Sequence, residues 1–140
     1  MARAGLERLG LGERITEVLD HERFLPAVSQ GIVGLTCRTD DADTQALLAA
    51  LPDDGTHARA RAERRFLNTL EAGCTAPVAA HATVEGATLT MEARVLAVDG
   101  TRSLTGQRTG SLDDPEALGS ALAEELLGQG AAALVAEARG

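Results

Sequence analysis

Aromatic side chains are nearly missing from this sequence. There is no tryptophan and no tyrosine, and Phe24 and Phe66 are the only phenylalanines. A core must therefore be built from Leu, Val and Ala, which bury less area per residue than rings do. Lysine is absent too: all 13 basic residues are arginine, which fits GC-rich codon usage rather than a functional choice. Positive charge is outweighed, and the formal net charge is −8. A negative surface repels phosphate backbones and anionic lipid, which argues against nucleic acid and membrane as partners. No apolar run approaches the ~20 residues that span a bilayer. The start, "MARAGLERLG", is charged and has no apolar core of a signal peptide. Cysteine is scarce: Cys37 and Cys74 are the only two. Without an export signal they imply a cytoplasmic, reducing setting and free thiols, with a Cys37–Cys74 disulfide as the competing arrangement.

What is present suffices for one ordinary domain: 140 residues with 44% hydrophobic content. Residues 2–20 read as short helices broken by Gly10 and Gly12, with Leu6, Leu9, Ile15, Val18 and Leu19 on the apolar side. In "RFLPAVSQGIVGLTCR", Ile32, Val33 and Leu35 read as a short buried strand without a hairpin partner nearby, ending at a buried Cys37. A helix follows, capped by Asp40 or Asp41, with Leu47, Leu48 and Leu51 as its apolar face. Residues 52–55 end it. A second helix over residues 56–72 carries Ala62, Phe66, Leu67 and Leu70 at helical spacing, with Gly73 as its terminating glycine and Pro77 beyond.

The period then changes to two. Residues 78–84 form a strand. Over residues 87–98, Leu89, Met91, Ala93 and Val95 alternate with Thr88, Thr90, Glu92 and Arg94, as on a sheet with one face on a core and one in water. Glu85-Gly86 and Asp99-Gly100 mark hairpin turns, and residues 101–109 make a third strand. Asp114 and Pro115 open a last helix with Leu118, Leu122 and Leu126 as its stripe; Gly128 and Gly130 weaken it, and residues 131–138 extend it. The order predicts an α+β fold: a three-stranded antiparallel sheet with helices on one face.

Candidate chemistry is sparse. His21, His57 and His81 are scattered and match no zinc spacing. The acidic pairs Asp40-Asp41, Asp53-Asp54 and Asp113-Asp114 stand at helix starts or in turns, where capping accounts for them. "RARAERR", residues 59–65, reads as a solvated helix face with Glu63 paired locally. The α-β-β-β-α order also occurs in double-stranded RNA-binding domains, but the last helix here starts "DDPEALGS", which is acidic where those domains need cations. Cys74 follows a helix C-terminus, whose partial negative charge disfavours a thiolate, and Glu71 is close by. On these residues alone it reads as a small loop cysteine or as a thiol that reacts once with a strong electrophile; a nucleophile in repeated turnover is disfavoured.

Two stretches resemble the porphobilinogen deaminase (hydroxymethylbilane synthase) family. "ERRFLNTLEAGCTAP", residues 63–77, resembles the signature ER-x-x-L-x-x-LEGGC-x-x-P, and "LPAVSQGIVGLTCR", residues 25–38, resembles LPAVGQG-x-x-G-x-x-CR. "AGLERLGL" and "ALAEELL" are similar to flanking family segments. Ser29 and Ala72 stand where the family has glycine; at a left-handed backbone position a side chain costs about 1 kcal/mol.

The resemblance implies that Cys74 anchors a dipyrromethane cofactor through a thioether. That cofactor primes the stepwise addition of four porphobilinogen units, each with loss of ammonia, before hydrolytic release of the linear tetrapyrrole. It implies that Gly73 shapes the presenting loop and that Gln30 and Gly31 approach the growing oligopyrrole. The family has three domains in a chain about twice this long, with its catalytic aspartate and carboxylate-binding arginines in the first two. Residues 1–39 would then be a helical and strand remnant of the second domain plus the crossover, and residues 40–140 the third, cofactor-anchoring domain. On this reading the chain holds no catalytic residue and no metal, and is inactive without the first and second domains. The competing expectation is a non-catalytic binding or scaffolding module derived from this domain.

Overall fold

The computed structural model describes residues 1–51, 53–73 and 75–139. Helix α1 covers Arg3–Arg8 and a 3-10 turn covers Gly12–Arg14. Residues 15–20 are not helical, so the first segment is shorter than its apolar spacing suggests. Helix α2, Ala42–Ala49, is capped by Asp41, whose carboxylate accepts from the Thr44 N–H at 3.0 Å. Helix α3, Asp54–Thr69, is capped by Asp53 through Thr56 in the same way. These backbone bonds, backed by the threonine hydroxyls, hold both carboxyls below their ordinary pKa. Asp114 caps helix α4, Pro115–Gly128, through the Ala117 N–H. Gly130, at φ 104°, separates α4 from helix α5, Ala131–Glu137.

Strands β1 (Val78–Glu85), β2 (Thr88–Leu96) and β3 (Ser103–Ser111) form one antiparallel sheet in the order β1-β2-β3. Val78 pairs with Val95 and Glu85 with Thr88, so the first hairpin turns on Gly86 and Ala87, one residue later than the sequence signal. Gly86, at φ 59°, supplies the left-handed position. The second hairpin closes through Asp99, which accepts from the Thr101 N–H and hydroxyl at 3.0 and 2.8 Å.

One face of the sheet carries the core. Ala80, Ala82, Leu89, Met91, Ala93 and Val95 pack with Phe66 of α3, Leu118, Leu122 and Leu126 of α4, and Leu134 of α5. The period-two residues of β2 are the buried ones, as expected. Helices α3 and α4 approach closely at Gly119, where a Cβ would stand 2.2 Å from the Ala62 carbonyl oxygen.

Three expectations give way. No strand forms at Ile32, Val33 and Leu35; Val33 is 79% exposed and Leu35 61%. At the sheet edge where residues 26–29 run, β1's outer N–H groups at Ala80 and Ala82 are already taken by the Pro26 carbonyl and the Glu63 carboxylate, so the segment has no ladder to extend there. Cys37 is accordingly an exposed free thiol rather than a buried one. The leucines of α2 do not reach the core: Leu47 is 71% exposed, because α3, α4 and α5 already fill the sheet face. Pro52, read as part of the break after α2, lies outside the described residues.

Candidate functional site

Glu63 lies on α3 beside Ala62, one turn before Phe66, so the helix turns it inward with the apolar stripe. Only 2% of it is exposed. It does not pair with the neighbouring arginines, contrary to the sequence reading. One carboxylate oxygen accepts from the Ser29 N–H at 2.6 Å, and the other accepts from the Ala82 N–H at 2.8 Å. Burial pushes its pKa up, while the two backbone bonds and the charge of Arg59 work in the opposite direction. Next along the same edge, the Ala80 N–H donates to the Pro26 carbonyl at 3.1 Å, and Val28 packs against the core. Residues 26–29 thus occupy the edge of β1 where a fourth strand would lie.

The turn after this edge carries Gln30 and Gly31, both exposed. It is closed by Gln30 N–H to the Ala27 carbonyl and Ile32 N–H to the Ser29 carbonyl, at 3.0 and 3.2 Å. Gly31 has φ 84° and Ser29 φ 59°. Ser29 therefore does adopt the left-handed conformation, at about 1 kcal/mol relative to glycine.

The loop after α3 ends in a way the sequence did not suggest. Glu71, not Gly73, takes the left-handed C′ position, at φ 52°. Ala72 N–H reaches the Leu67 carbonyl and Glu71 N–H the Asn68 carbonyl, at 3.2 and 3.0 Å, which is a Schellman closure. Ala72 needs no positive φ. The Arg139 guanidinium, from beyond α5, donates to the Glu71 carbonyl. Gly73 is exposed, its carbonyl accepts from the Ala76 N–H at 3.0 Å, and a Cβ built on it would meet nothing within 4 Å. Cys74 lies outside the described residues. A dipyrromethane bearing carboxylates would need cations, and residues 70–77 contribute none.

The second face of the sheet is polar. His21 and His81 meet there with ring centroids 4.6 Å apart, edge to face. With Glu22, Leu25, Thr83, Thr90, Glu92 and Gln107 they line a cavity of about 240 Å³. Arg94 fastens the overlying segment by donating to the Glu22 and Arg23 carbonyls at 2.7 and 3.2 Å, and it pairs with Glu92. Burial first, then His21 and Arg59, holds the His81 pKa below its ordinary value. Two histidines that looked unrelated in sequence are therefore neighbours. Among the described residues no group of three His, Cys, Asp or Glu side chains could hold a metal ion.

Two of the four arginines of α3 brace α4: Arg61 pairs with Glu116 at 3.2 Å and Arg65 donates to the Ser120 hydroxyl at 2.9 Å. Among the described residues no helix is long and apolar enough to cross a membrane.

Residues 57–128 match the family model described as porphobilinogen deaminase, C-terminal domain. Residues 1–46 match the model described as porphobilinogen deaminase, dipyromethane cofactor binding domain. A porphobilinogen deaminase from Roseiflexus castenholzii is 48% identical over 136 residues, which is 97% of this chain and 45% of that protein. One from Corynebacterium glutamicum is 45% identical over 140 residues, 98% of this chain and 46% of that protein. The chain thus spans less than half the length of these relatives.

Proposed function

The chain belongs to the porphobilinogen deaminase family, a transferase family of porphyrin biosynthesis, and on that footing we propose that it is the cofactor-anchoring, carboxyl-terminal portion of a hydroxymethylbilane synthase. Cys74 holds the dipyrromethane through a thioether, and Gly73 shapes the loop that presents it. Gln30 and Gly31, in a turn tied to the same domain, face the oligopyrrole built from porphobilinogen. The bound dipyrromethane supplies the primer on which pyrrole units are joined. This chain's own residues present the thiol and hold the turn. The aspartate that handles protons and the cations that meet the carboxylates come from the first two family domains. In this division residues 1–39 are the remnant and crossover and residues 40–140 the anchoring domain, working in the cytoplasm.

The observation that carries the proposal is the tie between the two family-like stretches. The signature helix, through Glu63, grips the backbone of the LPAVSQG segment. Exposed apolar residues confined largely to the amino-terminal segment, including Val18, Leu19, Phe24, Val33 and Leu35, support a partner surface there.

The test mixes the chain with a fragment supplying the first two domains of a porphobilinogen deaminase and supplies porphobilinogen. Product is read by absorbance after oxidation to uroporphyrin. The mixture should form tetrapyrrole, the chain alone none, and the mixture with Cys74→Ala none. Turnover by the chain alone, full activity with Cys74→Ala, or an inert mixture of folded partners would refute it; the last result favours a non-catalytic binding module.

A further inference from the structure

A buried carboxylate with two bonds to backbone amides from different segments has a use beyond packing. We propose that Glu63 is a positioning residue: its carboxylate latches residues 26–31 to the edge of β1 and so fixes where Gln30 and Gly31 stand. The geometry is specific to a carboxylate. The two N–H donors, of Ser29 and Ala82, converge on two different oxygens at 2.6 and 2.8 Å. One donor belongs to the sheet and the other to the turn, so one side chain on α3 joins the two through the backbone. Ser29 is also the residue held at φ 59°, a conformation that a serine keeps only when its surroundings impose it. Two bonds on its own backbone impose it: the Ile32 N–H to its carbonyl closes the turn, and the Glu63 carboxylate on its N–H ties that turn to the domain. Ser29 and Gly31 flank Gln30 with positive φ on both sides, so the direction of the Gln30 side chain depends on the turn staying closed.

A glutamine at this position keeps length and shape but offers one acceptor oxygen. Its NH2 group would face an N–H donor, so one of the two bonds is lost and a buried donor stands unpaired. An alanine loses both bonds.

The latch is read by amide hydrogen exchange on the 140-residue chain, independently of activity. In the parent the Ser29 amide, although in a turn, should exchange at least about tenfold slower than that of exposed Val33. In Glu63→Gln the Ser29 or Ala82 amide, together with that of Gln30, should speed up by about tenfold or more while Met91 and Val95 are unchanged. Glu63→Ala should free both amides. The role toward the reaction rests on the proposed function and is read in the reconstituted mixture. There Glu63→Gln should raise KM for porphobilinogen severalfold with kcat within about twofold, the pattern of misplaced binding groups. A parent Ser29 amide no more protected than Val33 overturns the latch, and this readout stands even if the variants fail to fold. Unchanged exchange at Ser29, Gln30 and Ala82 in a folded Glu63→Gln also overturns it. An altered kcat with unchanged KM overturns the positioning role. An inert parent mixture refutes the proposed function and leaves the exchange result to decide the latch.

Discussion

Replacing Gly119 by alanine should pry α3 and α4 apart. The new Cβ would lie 2.2 Å from the Ala62 carbonyl oxygen and 3.1 Å from both the Ala62 carbonyl carbon and the Phe66 amide nitrogen. A carbon–oxygen contact settles at about 3.3 Å, so about 1 Å of separation must be found. All three obstacles are backbone, and none can rotate aside. A gap of that size forfeits a quarter to a half of each dispersion contact across the interface. The residues that lose contact are Ala62, Phe66, Leu118, Leu122 and Ala123, all in one core. Overpacking costs about 1–3 kcal/mol when neighbours yield, and a rigid backbone obstacle puts this case at or above about 3 kcal/mol. Alanine's better helix propensity returns about 1 kcal/mol. The net loss of about 2 kcal/mol or more corresponds to a Tm lower by roughly 10 °C in a domain of this size. Gly128, at the end of α4 with nothing within 4 Å of a built Cβ, is the control. Gly128→Ala should melt at or slightly above the parent temperature. Thermal denaturation followed by circular dichroism reads both. A Gly119→Ala chain that melts with the parent would refute the close approach.

Acid should weaken the fold through His81. Burial keeps its folded pKa below the ordinary 6.5, so the unfolded chain takes the proton first as pH falls. The stability contributed by neutral His81 is complete above pH 6.5 and is lost below it. His21 and Glu92 from the polar face and Arg59 from α3 are the charged or titratable groups acting on it, and Glu63, whose pKa is raised, works in the opposite direction. His81→Gln should flatten the fall in Tm between about pH 7 and 5; an unchanged slope would sink this assignment. Truncation separates the two parts of the amino-terminal segment. Removing residues 1–20 should leave the Tm nearly unchanged. Removing residues 1–39 strips the Pro26, Ser29 and Arg23 contacts and the burial of Val28, and should cost about 2–3 kcal/mol. Equal melting of the two truncations would show that the β1 edge cover adds nothing.

Most of the sheet and its helices could be read from the sequence because their signals are local. Leu89, Met91, Ala93 and Val95 alternate and are buried. Asp41, Asp53 and Asp114 are caps, and each needs only residues three positions away. Ile32, Val33 and Leu35 have the composition of a strand, but a strand also needs a free edge, which composition does not contain. Glu63 departs from its sequence expectation for a related reason. Helical spacing offered arginines as partners, whereas its actual partners are backbone amides 34 and 19 positions away. One signal was available: Glu63 interrupts the stripe of Ala62, Phe66 and Leu70, and a carboxylate on a buried stripe must find donors. The helix end misled as well, because glycine is the usual left-handed residue and Gly73 stood nearby, yet Glu71 takes that role.

The edge of β1 is sealed by side chain and loop rather than by another strand. A fourth strand would contribute a continuous ladder, whereas the seam here consists of bonds at Ala80, Ala82 and Ser29. Only the bonds at Ala80 and Ser29 cross to the segment, so at a net of about 1 kcal/mol each the seam stands open in roughly three molecules in a hundred while the sheet behind it stays intact. The turn bearing Gln30 and Gly31 is thereby given a mobility of its own. Parting of the turn leaves the sheet intact, and what opposes it is one carboxylate, one carbonyl and the packing of Val28 rather than a ladder.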